Sequence, residues 1–119
     1  TAEALMEQTA AKIRLCDFSD QKLVKSELAD SAILTNATSV GMAPNENACP
    51  IPEPSFLPDG LIVSDIIYNP SETALLKMAK SRNLPAFNGA YMLLYQGAEA
   101  FQLWTGKEMP VETIKAQFF

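Results

Sequence analysis

Histidine is absent from all 119 residues, which removes imidazole general bases, His-containing triads and most transition-metal sites from the chemistry open to this chain. Any proton transfer by its own side chains falls to Lys, Tyr, Asp or Glu. Glycine is scarce, with five residues and none before Gly41, so the first third holds no glycine-rich phosphate loop. The two cysteines, Cys16 and Cys49, form no CxxC pair and read as inert thiols, and no metal site is expected. No apolar run approaches the roughly 18 residues of a membrane span, and the acidic start lacks the basic region and apolar core of a signal peptide. A cytoplasmic setting without a membrane partner is the expectation. Positive charge is also short: nine Lys and Arg stand against fourteen Asp and Glu, for a net charge of -5. With those basic residues scattered, nothing attracts a nucleic-acid backbone, and no nucleic-acid partner is expected.

What is present is apolar and ordered in pattern. Hydrophobic residues make up 48% of the chain, enough for one core. Helix and strand signals alternate in the manner of an open parallel sheet flanked by helices, so the expected class is α/β. Leu5 and Met6 place residues 1–9 on a helical period. A short strand is expected at 13–16. Asp20 caps a helix running to about Ala29, with Leu23, Val24 and Leu28 on one stripe. Residues 32–36 then read as a buried strand.

Five of the eight prolines fall within 43–60, which excludes a helix interior or a central strand and predicts a long surface loop bordering a functional site. Residues 61–67 carry the strongest strand signal, and their near-continuous apolar character predicts cover on both faces. Asn69 as N-cap, Pro70 at the first helical position and Glu72 at the third predict a helix to about Arg82. Ala86 and Phe87 form one more short strand. Residues 90–104, apolar almost all round, predict a helix buried between layers and ended by Thr105 and Gly106. A last amphipathic helix, 111–118, is expected to pack over the sheet or toward a neighbouring domain.

Three segments carry chemistry. Asn36-Ala37-Thr38-Ser39-Val40-Gly41-Met42 closes one strand, Asp65-Ile66-Ile67-Tyr68-Asn69-Pro70 closes the next, and Gly89 opens the helix containing Met92, Gln96 and Gly97. Both strand ends lie at the carboxyl edge of the sheet, where parallel sheets bind ligands. Read from the residues alone, Thr38 and Ser39 fit a plain turn and Tyr68 fits a boundary aromatic. Gln96 on a buried helix requires partners, because an unpaired buried amide costs about 1–3 kcal/mol. Those partners are either core groups such as Glu99 or a ligand. Gly97 beside it costs about 1 kcal/mol against Ala in a helix, which implies a close approach by another backbone or a ligand. Asp65, inside an apolar strand, reads as held by backbone amides and receives no catalytic role.

In their order and spacing the three motifs resemble the shikimate/quinate dehydrogenase family of nicotinamide-dependent oxidoreductases, over about residues 33–109. The resemblance implies a partial Rossmann-like sheet, with 1–119 as the C-terminal part of an NAD(P)-binding domain. It implies cofactor contacts at Thr38, Ser39, Ile66, Ile67, Tyr68, Asn69, Gly89 and Met92, and substrate contacts at Gln96 and Tyr68. The cofactor would be NADP or NAD, and the substrate shikimate or quinate. Tyr91 stands where many members carry glycine, and the run from Ala98 to Lys107 looks closer to the branch that also accepts quinate. The family's catalytic Lys and Asp pair belongs to an N-terminal domain and has no counterpart here, so no catalytic residue is assigned and the isolated chain is expected to be inactive. In the strand order 3-2-1-4-5-6, residues 13–16 would be strand three and 32–36 strand four. The strands between them would be missing, which predicts self-association through the edge of 32–36. A small non-catalytic α/β binding or regulatory module is the alternative that the residues alone leave open.

Overall fold

The structure is a computed structural model that describes residues 2–119. Its centre is a parallel sheet of three short strands, β1 (Ile33–Asn36), β2 (Ile62–Asp65) and β3 (Ala86–Phe87), in the spatial order β1-β2-β3. β1 and β2 align Ile33 with Ile62 and Asn36 with Asp65. The helices are α1 (Ala2–Gln8), α2 (Gln21–Ala29), α3 (Ala74–Ser81), α4 (Ala90–Thr105) and α5 (Val111–Phe118). This is the expected α/β, Rossmann-like arrangement.

Parallel neighbours require a crossover, normally a helix. Between β2 and β3 that crossover is α3, whose Leu75, Leu76 and Ala79 are buried. Between β1 and β2 the proline-rich segment takes the same place. It is the irregular, mostly exposed loop that its composition predicts, but it is pinned to the core at three points: Ile51, Phe56 and Leu57 are buried, the last completely, and Pro54–Phe56 form a single 3-10 turn. With Val24 and Leu28 of α2 and Val63 of β2, these side chains form one continuous apolar cluster on one face of the sheet. α2 begins as expected, with Asp20 Oδ1 accepting from the amides of Lys22 and Leu23.

The strand signal at 61–67 holds for its core, but cover on its two faces is unequal: Val63 and Asp65 are buried, whereas Ile62 and Ser64 are half-buried. On the neighbouring strands Ile33 and Phe87 are more than half exposed, and the apolar cluster built with α2, α3 and the crossover segment lies on the other face. Residues 13–16 form no strand. No described strand lies alongside to complete a ladder, so Leu15 points to solvent while Cys16 leans on the core.

α3 starts later than predicted. Its N-cap is Thr73 and not Asn69, since the Thr73 hydroxyl is held between the Asp65 carboxylate and the Leu76 amide. Pro70 and Glu72 therefore precede the helix, and Glu72 pairs with Lys80 instead of capping. That hydrogen bond holds the Glu72 carboxyl below its ordinary pKa. α4 departs furthest from expectation. Only Leu94 is buried, while Leu103 and Trp104 are more than four-fifths exposed. Its main described neighbour is α5, which packs on it and not over the sheet, with Phe119 stacked on Tyr91 at 6.1 Å and Lys115 Nζ over the same ring. Gly106, with φ +68, ends α4 as predicted.

Two glycines of the α4 region differ in why they are there. A Cβ on Gly89 would stand 1.9 Å from the Ile66 carbonyl oxygen, whereas one on Gly97 would meet nothing within 4 Å. Gly97 therefore shows none of the close approach predicted for it within the described residues. Gly89→Ala should lower the stability of the chain to urea by about 2–3 kcal/mol through overpacking. Gly97→Ala should raise it by about 0.5–1 kcal/mol, because the unfolded chain loses freedom and nothing is displaced. Equal effects at the two positions would contradict this assignment.

Candidate functional site

The carboxyl ends of β1 and β2 open into a cleft of about 550 Å³. One wall is the turn after β1, contributing Ala37, Thr38, Ser39, Met42 and Ala43. The other is the turn after β2, contributing Ile66, Ile67, Tyr68 and Asn69. The size falls within the range of small-molecule sites, and the lining joins apolar side chains to a few polar groups at the sheet edge where such ligands bind.

Each wall is shaped by a specific contact. Asn36, the last residue of β1, accepts at Oδ1 from the Thr38 amide (3.2 Å) and hydroxyl (2.7 Å), and donates from Nδ2 to the Val40 carbonyl at 3.1 Å. The Thr38 hydroxyl also accepts from the Val40 amide. This local side-chain bonding curls the backbone back on itself. Gly41 completes the turn at φ +99, a conformation open to glycine and strained for other residues. The second wall follows from Asp65, whose Oδ1 accepts from the Ile67 amide at 3.0 Å and from Asn36 Nδ2 at 3.1 Å. Its Oδ2 accepts from the Thr73 hydroxyl at 2.7 Å. Asp65 is thus a buried structural anchor, held by one backbone amide and two side chains.

The cleft brings together Thr38, Ser39, Ile66, Ile67, Tyr68 and Asn69. Thr38 presents a committed hydroxyl, while Ser39 and Tyr68 are exposed. Gly89 lies behind the second wall, its amide donating to the Ile67 carbonyl at 3.1 Å, so the absence of a side chain there serves backbone packing first. Met92 and Gln96 stand outside the cleft, one turn apart on a solvent-exposed face of α4. Gln96 is exposed and not buried, since α4 has no sheet or layer over that face among the described residues. The burial cost that singled it out is therefore absent. What remains is an amide with no hydrogen bond inside the described chain and freedom to meet a ligand. Sequence reasoning passed over Ala37, Met42 and Ala43 as site residues. The signal for Met42 was its place just after the Gly41 turn at a strand's carboxyl end.

The thiols lie outside this chemistry. Burial, outweighing a hydrogen bond from the Ile51 amide, pushes the Cys49 thiol up. Desolvation, followed by the carboxylates of Glu27, Asp20 and Asp17, does the same at Cys16. Both cysteines are free. Among the described residues no three His, Cys, Asp or Glu groups are placed to hold a metal ion, and no helix is long and apolar enough to cross a membrane.

The chain is similar to several known proteins. Residues 89–117 match the family described as Shikimate 5'-dehydrogenase C-terminal domain. A shikimate dehydrogenase (NADP(+)) of Streptococcus pneumoniae strain JJA is 53% identical over 112 residues, which cover 94% of this chain and 39% of that protein. The crystal structure of shikimate 5-dehydrogenase from Listeria monocytogenes in complex with shikimate and NAD superposes with a TM-score of 0.90 at 43% identity, covering 99% of this chain and 41% of that one. A shikimate dehydrogenase solved in complex with NADP+ gives a TM-score of 0.80 at 38% identity, over 97% of this chain and 39% of its own. The chain thus spans about two fifths of the length of the relatives it matches.

Proposed function

This chain belongs to the shikimate dehydrogenase family, and we propose that it is the C-terminal part of the NAD(P)-binding domain of such an enzyme. That enzyme would work in the cytoplasm and interconvert the ring alcohol of shikimate, or of quinate, with the corresponding ketone. The observation that carries the reading is the cleft, which gathers at one sheet edge six residues that the family resemblance assigns to the dinucleotide. Its walls suit the group: the Ala37 to Ala43 turn is small and offers backbone, and Met42, Ile66 and Ile67 supply apolar surface for a flat ring. NADP or NAD would supply hydride acceptance and donation at its nicotinamide ring. The protein's own part is to bind and orient. Ser39 and Asn69 offer polar groups at the cleft rim, Met92 offers an apolar contact beyond it, and Tyr68 and Gln96 offer a hydroxyl and an amide to a polyhydroxylated ring.

No residue of the chain is assigned to acid-base catalysis. The isolated 119-residue chain should therefore give no shikimate- or quinate-dependent reduction of NADP or NAD above background in a spectrophotometric assay. Robust turnover by it would overturn the assignment.

In the full-length protein that carries this segment, Gln96→Ala should lower kcat/KM for shikimate by about 1.5–3 kcal/mol and leave dinucleotide affinity nearly unchanged. The exposure of Gln96 makes loss of folding an unexpected outcome. Loss of dinucleotide binding with intact substrate handling would show that α4 had been assigned to the wrong ligand.

The partner reading extends to the sheet edge. Among the described residues β1 pairs only with β2, and an apolar hollow of about 340 Å³, lined in part by Phe18, Leu34 and Ile51, lies along the carboxyl half of β1 and the turn after it. Free strand edges beside apolar surface recruit further strands. Size-exclusion chromatography with light scattering should find the isolated chain as a dimer or larger species. A strictly monomeric chain at high concentration would refute association through this edge.

A further inference from the structure

Behind the two walls of the cleft lies a buried polar cluster whose members do not line the cleft. Asn36, Asp65 and Thr73 are 4%, 1% and 1% exposed, and no buried side-chain polar atom among the described residues lacks a partner. The Asp65 carboxylate is the hub. It receives Asn36, which ties down the first wall through Thr38 and Val40, and it receives the Ile67 amide, which belongs to the second wall. It also receives the Thr73 hydroxyl, the N-cap of α3. Thr73 reaches the first wall a second time, because its Cβ lies 3.5 Å from where a Gly41 side chain would begin. One carboxylate therefore couples both sides of the cleft and the start of the crossover helix.

We infer that Asn36, Asp65 and Thr73 act as positioning residues that fix the separation of the two cleft walls, and with it the affinity for the dinucleotide. This rests on the reading of the cleft as the dinucleotide site. None of the three touches the ligand. They act through Thr38, Ile67 and the Gly41 turn. Buried networks of this kind either satisfy every member and rigidify what they join, or lose one member and release the rest. Removing the Thr73 hydroxyl leaves Asp65 Oδ2 without its donor and frees the first wall from α3.

The test uses the full-length protein and reads dissociation constants for NADP+ and for NAD+ by fluorescence titration without shikimate. Thr73→Val keeps the volume and should weaken binding of the preferred dinucleotide about five- to tenfold, while Thr73→Ser, which restores the hydroxyl, should return it to within twofold of wild type. Asp65→Asn is nearly isosteric and should weaken it about two- to fivefold. It carries the test alone if Thr73→Val does not fold. Leu28→Ala, in the α2 part of the core away from the cleft, should lower the melting temperature and leave the dissociation constant within twofold. A merely structural network predicts the opposite pattern, with Thr73→Val and Asp65→Asn losing stability like Leu28→Ala while binding as wild type, and that result overturns the inference. If wild type binds neither dinucleotide, the reading of the cleft fails first and takes the inference with it. If wild type binds and the variants bind equally well, only the positioning role fails.

Discussion

A buried carboxylate at the end of the central strand is the constraint on which the rest of this structure depends. Taking Asp65 out of water is costly unless hydrogen bonds replace the lost solvation, and its three donors come from three separate segments. Satisfying them fixes the register of β1 against β2, since Asn36 must lie opposite Asp65 for its amide to reach. It also fixes where α3 begins. Asn69, Pro70 and Glu72 form a convincing start signal by local rules, yet the helix waits for Thr73 because only that hydroxyl reaches the carboxylate and caps the first turn together.

The second constraint is the crossover from β1 to β2. A helix there would satisfy its own backbone, whereas an irregular segment normally stays at the surface for want of partners. Proline changes that balance, because each one removes an N–H that would otherwise need an acceptor. The segment can therefore turn inward, and Ile51, Phe56 and Leu57 fill the space between α2, α3 and β2. The prolines themselves stay at or near the surface, and only the three apolar side chains between them reach the core.

The same distinction separates what was legible in the sequence from what was not. Both strand ends and their glycine turn were readable, because turn chemistry is local: Asn36, Thr38, Gly41 and Asp65 act within a few residues or across one strand pair. The cleft was legible for the same reason, apart from Ala37, Met42 and Ala43, whose side chains carry no polar signal. Strand formation at 13–16 was not legible, since a strand exists only where a neighbour completes its ladder. Nor was the environment of α4. An apolar circumference records that a helix is suited to burial, not which surface covers it, and within the described residues Tyr95, Leu103 and Trp104 stay open. Burial of Gln96 would depend on neighbours that its own helix does not specify, and the side chain is exposed.

Gly89 links these two zones. Its missing side chain lets the start of α4 rest on the Ile66 carbonyl, and its amide donates to Ile67, so the helix is anchored directly on the backbone of the second cleft wall. The position of that wall therefore fixes where α4 starts, and Met92 and Gln96 follow within about two turns of helix. The Asp65 network sets the wall, the wall sets Gly89, and Gly89 sets the direction of the helix that carries Gln96. The cleft wall at the end of β2 and the exposed helix that carries Gln96 are thereby joined by contacts that run mostly through backbone.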